Sequence, residues 1–204
     1  MSYKKVLFTG NSLLLGMFGC YGMCSTDPEN DYCYHVSGIL LEREPDCEIR
    51  KHSISRFEQS ESAEDFEAWF ETISPKLTPD LDLISFQLLD NVNDEARQAA
   101  FRYNFPELLR RAKERCPKAR IVWIYGWYMQ PAVFDFALKT AESFGIETID
   151  IRSAHTKENE SYAGQVSLNA EGEEIVVDRE WITHPGNRGM RVIADIIIER
   201  LFKD

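Results

Sequence analysis

The sequence contains no apolar run long enough to cross a bilayer. Nor does an apolar segment with a small-residue cleavage site precede the first candidate strand. Met1-Ser2-Tyr3-Lys4-Lys5 leads straight into that strand, which points to the cytoplasm unless a leader has been removed. Basic residues are in the minority, with 23 lysines and arginines against 34 aspartates and glutamates. A net charge of −11 without any basic stripe argues against a nucleic-acid partner. Cysteine is sparse and odd in number: Cys20, Cys24, Cys33, Cys47 and Cys116. Such a set, without a secretion signal, reads as reduced thiols rather than as a disulfide framework. Cys20, Cys24 and Cys33 have no paired CxxC knuckle and no clear fourth ligand. They read as small semi-buried hydrophobes, and no metal and no cofactor is expected. Repeats and low-complexity tracts are missing. So is a glycine-rich phosphate loop with lysine, which disfavours a phosphate or nucleotide binder built on the first strand.

What is present fits one domain over residues 1–204, large enough to bury a core without staples. Val6 to Phe8 form a short buried strand, and Gly10 allows a sharp turn after it. Residues 13–30, rich in glycine and methionine, are too long for a tight turn and read as a loop that shapes a site. A helix begins near Asp31 and carries Tyr34, Val36, Ile39 and Leu40 inward; His35 on it reads as a packing or surface histidine. Residues 47–54 alternate in polarity and predict an edge strand, and residues 63–73 a helix with Phe66, Trp69, Phe70 and Ile73 on one stripe. Residues 81–89 are nearly all apolar and predict a central strand. A helical region over 94–115 is expected to be interrupted before Pro106. Residues 120–125 predict a strand, 132–144 a helix closed by Gly145, and 147–151 a fifth strand. Residues 165–168 and 174–177 look like a small hairpin or lid, and a helix over 187–202 ends the pattern. Strands alternating with helices imply an α/β fold, a single three-layer α/β/α domain around a doubly wound, mostly parallel sheet.

Ser12 lies just past the end of the first strand, in the crevice where open α/β sheets bind ligands. A serine there either caps a helix or acts as a nucleophile beside backbone N–H groups able to stabilise an oxyanion. The candidate base is His184, on a loop before the terminal helix with Pro185 fixing the local backbone. Asn91 sits at another strand exit.

Three segments, in order, carry a resemblance to the SGNH hydrolases, also called GDSL-like esterases. Gly10-Asn11-Ser12-Leu13 resembles the first block, with Asn11 in place of the usual aspartate. Gln87-Leu88-Leu89-Asp90-Asn91-Val92 resembles the third, and His184-Pro185-Gly186-Asn187-x-Gly189-Met190 the fifth. The resemblance implies a flavodoxin-like five-stranded sheet with Ser12 as nucleophile and His184 as general base. The Ser12 amide and the Asn91 carboxamide would be the oxyanion donors.

The sequence departs from the pattern at three places. Leu89 stands where the third-block glycine belongs. Arg56 falls nearest the missing second-block glycine, and its N–H is a candidate third oxyanion donor. Trp181 replaces the aspartate that usually precedes the histidine by three residues. An indole cannot accept a hydrogen bond, so the ring must be oriented by the Trp181 carbonyl, by Asp178 or by Glu180. The expected function is hydrolysis of an acyl ester, with Phe18, Tyr21, Trp127, Tyr128 and Trp181 suited to hold an apolar acyl chain or a sugar face. The alternative is a small-molecule or carbohydrate-binding protein with weakened chemistry.

Overall fold

The computed structural model describes residues 2–16, 21–169 and 171–202. Five parallel strands form the sheet: β1 (Lys5–Gly10), β2 (Glu48–Ser53), β3 (Leu83–Gln87), β4 (Arg120–Tyr125) and β5 (Glu147–Asp150), in the order β2-β1-β3-β4-β5. The apolar runs of β1, β3 and β4 are buried on both faces, as helices on either side require. Alternating β2 lies at an edge, as its polarity predicts. Every pairing is parallel, and β1 and β3 meet with Gly10 opposite Gln87. In this strand order the direction of winding reverses between β1 and β3, and the crevice beyond their carboxyl ends is the expected ligand site.

Successive residues of each strand feed opposite layers. Val6, Phe8, Val122 and Ile124 pack with α1 (Tyr32–Arg43) and α6 (Asn187–Phe202), through Val36, Leu40, Ile193 and Ile197. Leu7, Ile84, Phe86 and Trp123 pack with α3 (Ala63–Ile73), α4 (Glu95–Arg115) and α5 (Pro131–Ser143). Two details differ from the expectation. Tyr34 is half exposed, and α1 instead turns Tyr32, Cys33, Val36 and Leu40 inward. Tyr32, Val36 and Leu40 follow the i, i+4 spacing of one helical face, whereas Tyr34, two residues from Val36, falls on the opposite side; the Asp31 side chain caps the helix by accepting from the Cys33 and Tyr34 amides. Helix α4 also runs unbroken through Pro106. Burial of Phe101, Phe105, Leu108 and Leu109 on both sides of the proline outweighs the one backbone hydrogen bond it removes, a cost of roughly 3 kcal/mol.

Strands β6 (Val166–Leu168) and β7 (Glu174–Val176) form the anticipated hairpin. It is tied to the loop after β1: Gln165 Nε2 donates to the Cys24 carbonyl at 2.6 Å, and the Leu168 amide to that of Thr26 at 2.9 Å. Asn187, first residue of α6, accepts from the Thr26 amide and donates to its hydroxyl. The loop after β1, the hairpin and the start of the terminal helix are thus fastened together.

Gly189 explains part of the fifth-block pattern. A Cβ there would lie 2.2 Å from the Asn159 carbonyl oxygen, a backbone atom that also accepts the Gly186 amide at 3.0 Å. Gly189→Ala should therefore destabilise the fold by about 2–4 kcal/mol, through displacement of the 159–161 segment. A thermal melt checks this: an unchanged midpoint would show that the segment yields without cost.

Candidate active site

Gly10 ends β1 with no room for a side chain, since a Cβ would meet Leu14 Cβ at 2.5 Å and Gln87 Oε1 at 2.9 Å. The chain then turns, with the Asn11 carbonyl accepting from the Leu14 and Leu15 amides. This leaves Ser12 half-buried at the rim, its carbonyl accepting from the Met23 amide at 2.7 Å. The Ser12 amide donates to no acceptor among the described residues. An N–H held at a turn without a protein partner is what an oxyanion donor requires.

From the far end of the chain the loop before α6 returns to this point. Ser12 Oγ lies 3.1 Å from His184 Nε2, within hydrogen-bond reach. The other ring nitrogen, Nδ1, lies 3.2 Å from the Trp181 carbonyl oxygen. Of the three candidates for orienting the imidazole, the Trp181 carbonyl is the group in contact. Asp178 and Glu180 are exposed, and Asp178 accepts instead from the adjacent Arg179 amide. The same carbonyl also accepts from the His184 amide at 2.9 Å and from Ser161 Oγ and Cys24 Sγ, each at 3.4 Å. With Nδ1–H bonded to a carbonyl, Nε2 is the basic nitrogen and faces the serine. Burial lowers the His184 pKa from its ordinary 6.5, and the Trp181 carbonyl offsets that in part by favouring the charged ring.

Two expected wall residues have a different place. Trp127 and Tyr21 are buried. Trp127 donates from Nε1 to the Thr183 carbonyl at 2.9 Å, while the Tyr128 hydroxyl meets Thr183 Oγ1 at 2.9 Å. The Tyr128 ring also approaches the His184 ring edge-on, with centroids 5.5 Å apart. Residues 127 and 128 therefore clamp the residue before the imidazole. Their aromatic character signals this no better than it signals a pocket wall, because the indole N–H needs a buried acceptor in either case. Trp181 is half-buried, and Phe18 and Cys20 lie outside the described residues. Cys24 and Cys33 are buried, with thiols pushed up to about 11 and about 12 by desolvation. Among the described residues no group of three or more His, Cys, Asp or Glu side chains is placed to hold a metal.

Arg56 lies in α2 (Ser55–Glu58), directly past β2, where the Ile54 amide donates to the Gly10 carbonyl. Its backbone is thus near the rim, but its side chain is exposed and lines a cleft of about 410 Å³ with Gln59, Glu61, Asp65 and Trp69. Ser12, Asn91 and His184 are not among the residues of that cleft.

Asn91 follows β3 and is half-buried. It emerges from a strained turn, for Leu89 has φ +113°, a region that disfavours a side chain. The resemblance expects the third-block glycine at this position, and Leu89 holds a backbone conformation that glycine would adopt more readily. One group that holds it there is Glu58, which the sequence reading missed. Its carboxylate is buried and accepts from the Leu89 amide at 2.6 Å, Asn91 Nδ2 at 2.7 Å, Asn11 Nδ2 at 3.3 Å and the Asn91 amide at 3.4 Å. Asp90, also buried, accepts from Gln87 Nε2 at 2.6 Å and from Asn11 Nδ2 and the Tyr128 amide, both at 2.8 Å. Asn11 bridges the two acids. Desolvation raises the pKa of both, and the charge of Asp90 raises that of Glu58 further. An aspartate at position 11, the usual residue of the first block, would place a third carboxyl between them. Asparagine avoids that repulsion and donates to both acids, a role visible only once the fold brings them together.

No protein-family model and no curated protein sequence matches the chain. The likeness is structural, and it shows the fold, one shared with solved structures described as GDSL-like lipases. A GDSL-like lipase structure from Bacteroides ovatus gives a TM-score of 0.64 at 14% identity, covering 100% of both chains. Another from Bacteroides uniformis gives 0.62 at 19%, over 97% of this chain and 95% of that one. An acetyl xylan esterase from Butyrivibrio proteoclasticus gives 0.56 at 11%, over 98% of this chain and 64% of that one. At such identities what is shared is the fold. Among the described residues, no helix is long and apolar enough to cross a membrane.

Proposed function

We propose that the protein is a serine esterase that hydrolyses short-chain acyl or acetyl esters through an acyl-enzyme, with Ser12 as nucleophile and His184 as base. The observation that carries this reading is the 3.1 Å contact between Ser12 Oγ and His184 Nε2 at the carboxyl edge of the sheet. In the first half-reaction Ser12 Oγ bonds to the ester carbonyl carbon while its proton passes to Nε2. The negative charge on the carbonyl oxygen faces the Ser12 amide and the Asn91 carboxamide, with the Arg56 amide as a further candidate donor. Collapse breaks the bond to the alkoxide, which leaves with the proton from Nε2. In the second half, water gives its proton to Nε2 and attacks the acyl carbon, and Ser12 Oγ leaves with that proton. The Trp181 carbonyl keeps the ring in the required tautomer. A neutral acceptor stabilises imidazolium less than a carboxylate does, so modest turnover is expected.

Esterases on acetylated carbohydrates occur among the similar structures, including one active on acetylated mannans, which supports acetylated sugars as a substrate class. The experiment is hydrolysis of nitrophenyl acetate together with covalent labelling by an organophosphonate and mapping of the labelled residue. Label on Ser12 with turnover of the ester is expected. A folded protein that neither hydrolyses nor takes up label would favour a carbohydrate-binding protein with weakened chemistry.

The burial of His184 sets the acid limb of the pH profile. Proton acceptance needs neutral imidazole, and the lowered pKa keeps the ring neutral to below pH 6.5. The fall of kcat/KM on acidification should thus have its midpoint below 6.5. A midpoint above that value contradicts a desolvated, carbonyl-oriented base.

A further inference from the structure

We infer that Glu58 is a positioning residue that dictates which end of the Asn91 carboxamide faces the substrate. The inference rests on the esterase reading above and adds to it a residue outside the three blocks.

A primary carboxamide has two nearly isosteric ends, an oxygen that accepts and a nitrogen that donates. Which end faces a given direction is decided by its partners. An oxyanion site needs the nitrogen end. Glu58 Oε2 lies 2.7 Å from Asn91 Nδ2, and a carboxylate oxygen only accepts. It thereby fixes the nitrogen on its own side and uses one of the two amide hydrogens. The second hydrogen remains for the oxyanion. The other carboxylate oxygen, Oε1, accepts from the Leu89 amide at 2.6 Å and from Asn11 Nδ2 and the Asn91 amide at longer range. One side chain thus holds both the backbone of the strained turn and the carboxamide that leaves it. Glu58 is itself fixed, being 1% exposed in a short helix. Its direct neighbours are the two asparagines, the Leu89 turn and the second buried acid, Asp90, joined to it through Asn11.

Glutamine has the same shape and the opposite consequence. Three N–H groups converge on the Oε1 side, so Glu58→Gln must keep its oxygen there and turn its NH₂ toward Asn91. Two NH₂ groups cannot bond each other. The Asn91 carboxamide then rotates by half a turn and presents its oxygen where the developing oxyanion needs a donor. A purely structural role for Glu58 predicts a loss of stability with no special dependence on Asn91.

A double-mutant cycle on nitrophenyl acetate hydrolysis separates the two. Glu58→Gln should lower kcat by roughly 100-fold with KM changed less than about threefold. The double variant Glu58→Gln/Asn91→Ala should be no slower than Asn91→Ala alone, within about threefold. A Glu58→Gln enzyme with wild-type kcat, or losses that multiply in the double variant, overturns the inference while leaving the esterase reading in place. Failure of wild type to hydrolyse the ester or to be labelled at Ser12 removes the esterase reading first and this inference with it. Should Glu58→Gln not fold, the wild-type protein decides by NMR. The Asn91 side-chain amide should show one proton shifted far downfield of its partner by the carboxylate; two protons at ordinary solvent-exposed positions overturn the assignment.

Discussion

Ser12→Ala is expected to lower kcat for nitrophenyl acetate by a factor on the order of 10³–10⁵, with the thermal midpoint little changed. Among the described residues the hydroxyl makes one side-chain hydrogen bond, to His184 Nε2, and both residues are only half-buried, so water can replace it at Nε2 and no large cavity is left. On the proposed mechanism the loss is chemical, because the acyl-enzyme has nowhere to form. His184→Ala should cost a similar factor. The two changes together should cost hardly more than either one, since nucleophile and base act as a unit. Rates of the two single variants and the double variant, with organophosphonate uptake as a second readout, make the check. A Ser12→Ala protein that retains wild-type turnover would place the chemistry elsewhere.

Asn91→Ala is expected to have the next largest effect, a fall in kcat of about 10²–10³, corresponding to the 2.7–4 kcal/mol typical of one lost oxyanion donor. Ground-state binding should change little, because a neutral carbonyl gains far less from the amide than an oxyanion does. Steady-state kinetics therefore separate the roles: kcat falls while KM stays within a few-fold. If KM rises and kcat holds, Asn91 contacts substrate without stabilising the transition state. Some destabilisation is also expected, since Glu58 Oε2 loses its 2.7 Å donor.

The sheet was legible in the sequence because burial on two faces leaves an unmistakable record. Val6-Leu7-Phe8 and Ile121-Val122-Trp123-Ile124 have no polar alternation, and both are interior strands. The alternation of Glu48 to Ser53 marks the edge for the converse reason. Pro106 misled, because local backbone rules forbid what a strongly buried helix face tolerates. At the rim, Ser12 and His184 were legible through short motifs at strand and helix junctions, where chain direction fixes position. Glu58 was not, for Arg56-Phe57-Glu58-Gln59 reads as an ordinary surface turn. Its burial arises only when the exits of β1, β2 and β3 converge. Trp127 and Tyr21 show the same limit, since composition tells that an aromatic is present and not which way it faces.

Orientation of the imidazole by a main-chain oxygen has an evolutionary corollary. A carboxylate at that place is deleted by a single codon change, whereas the Trp181 carbonyl survives every substitution except one that moves the chain. The indole at 181 is therefore constrained by its packing against Met23, Cys24 and Val177 and not by the needs of the imidazole. Substitution there should disturb that packing first, and the ring's orientation only where the chain itself moves.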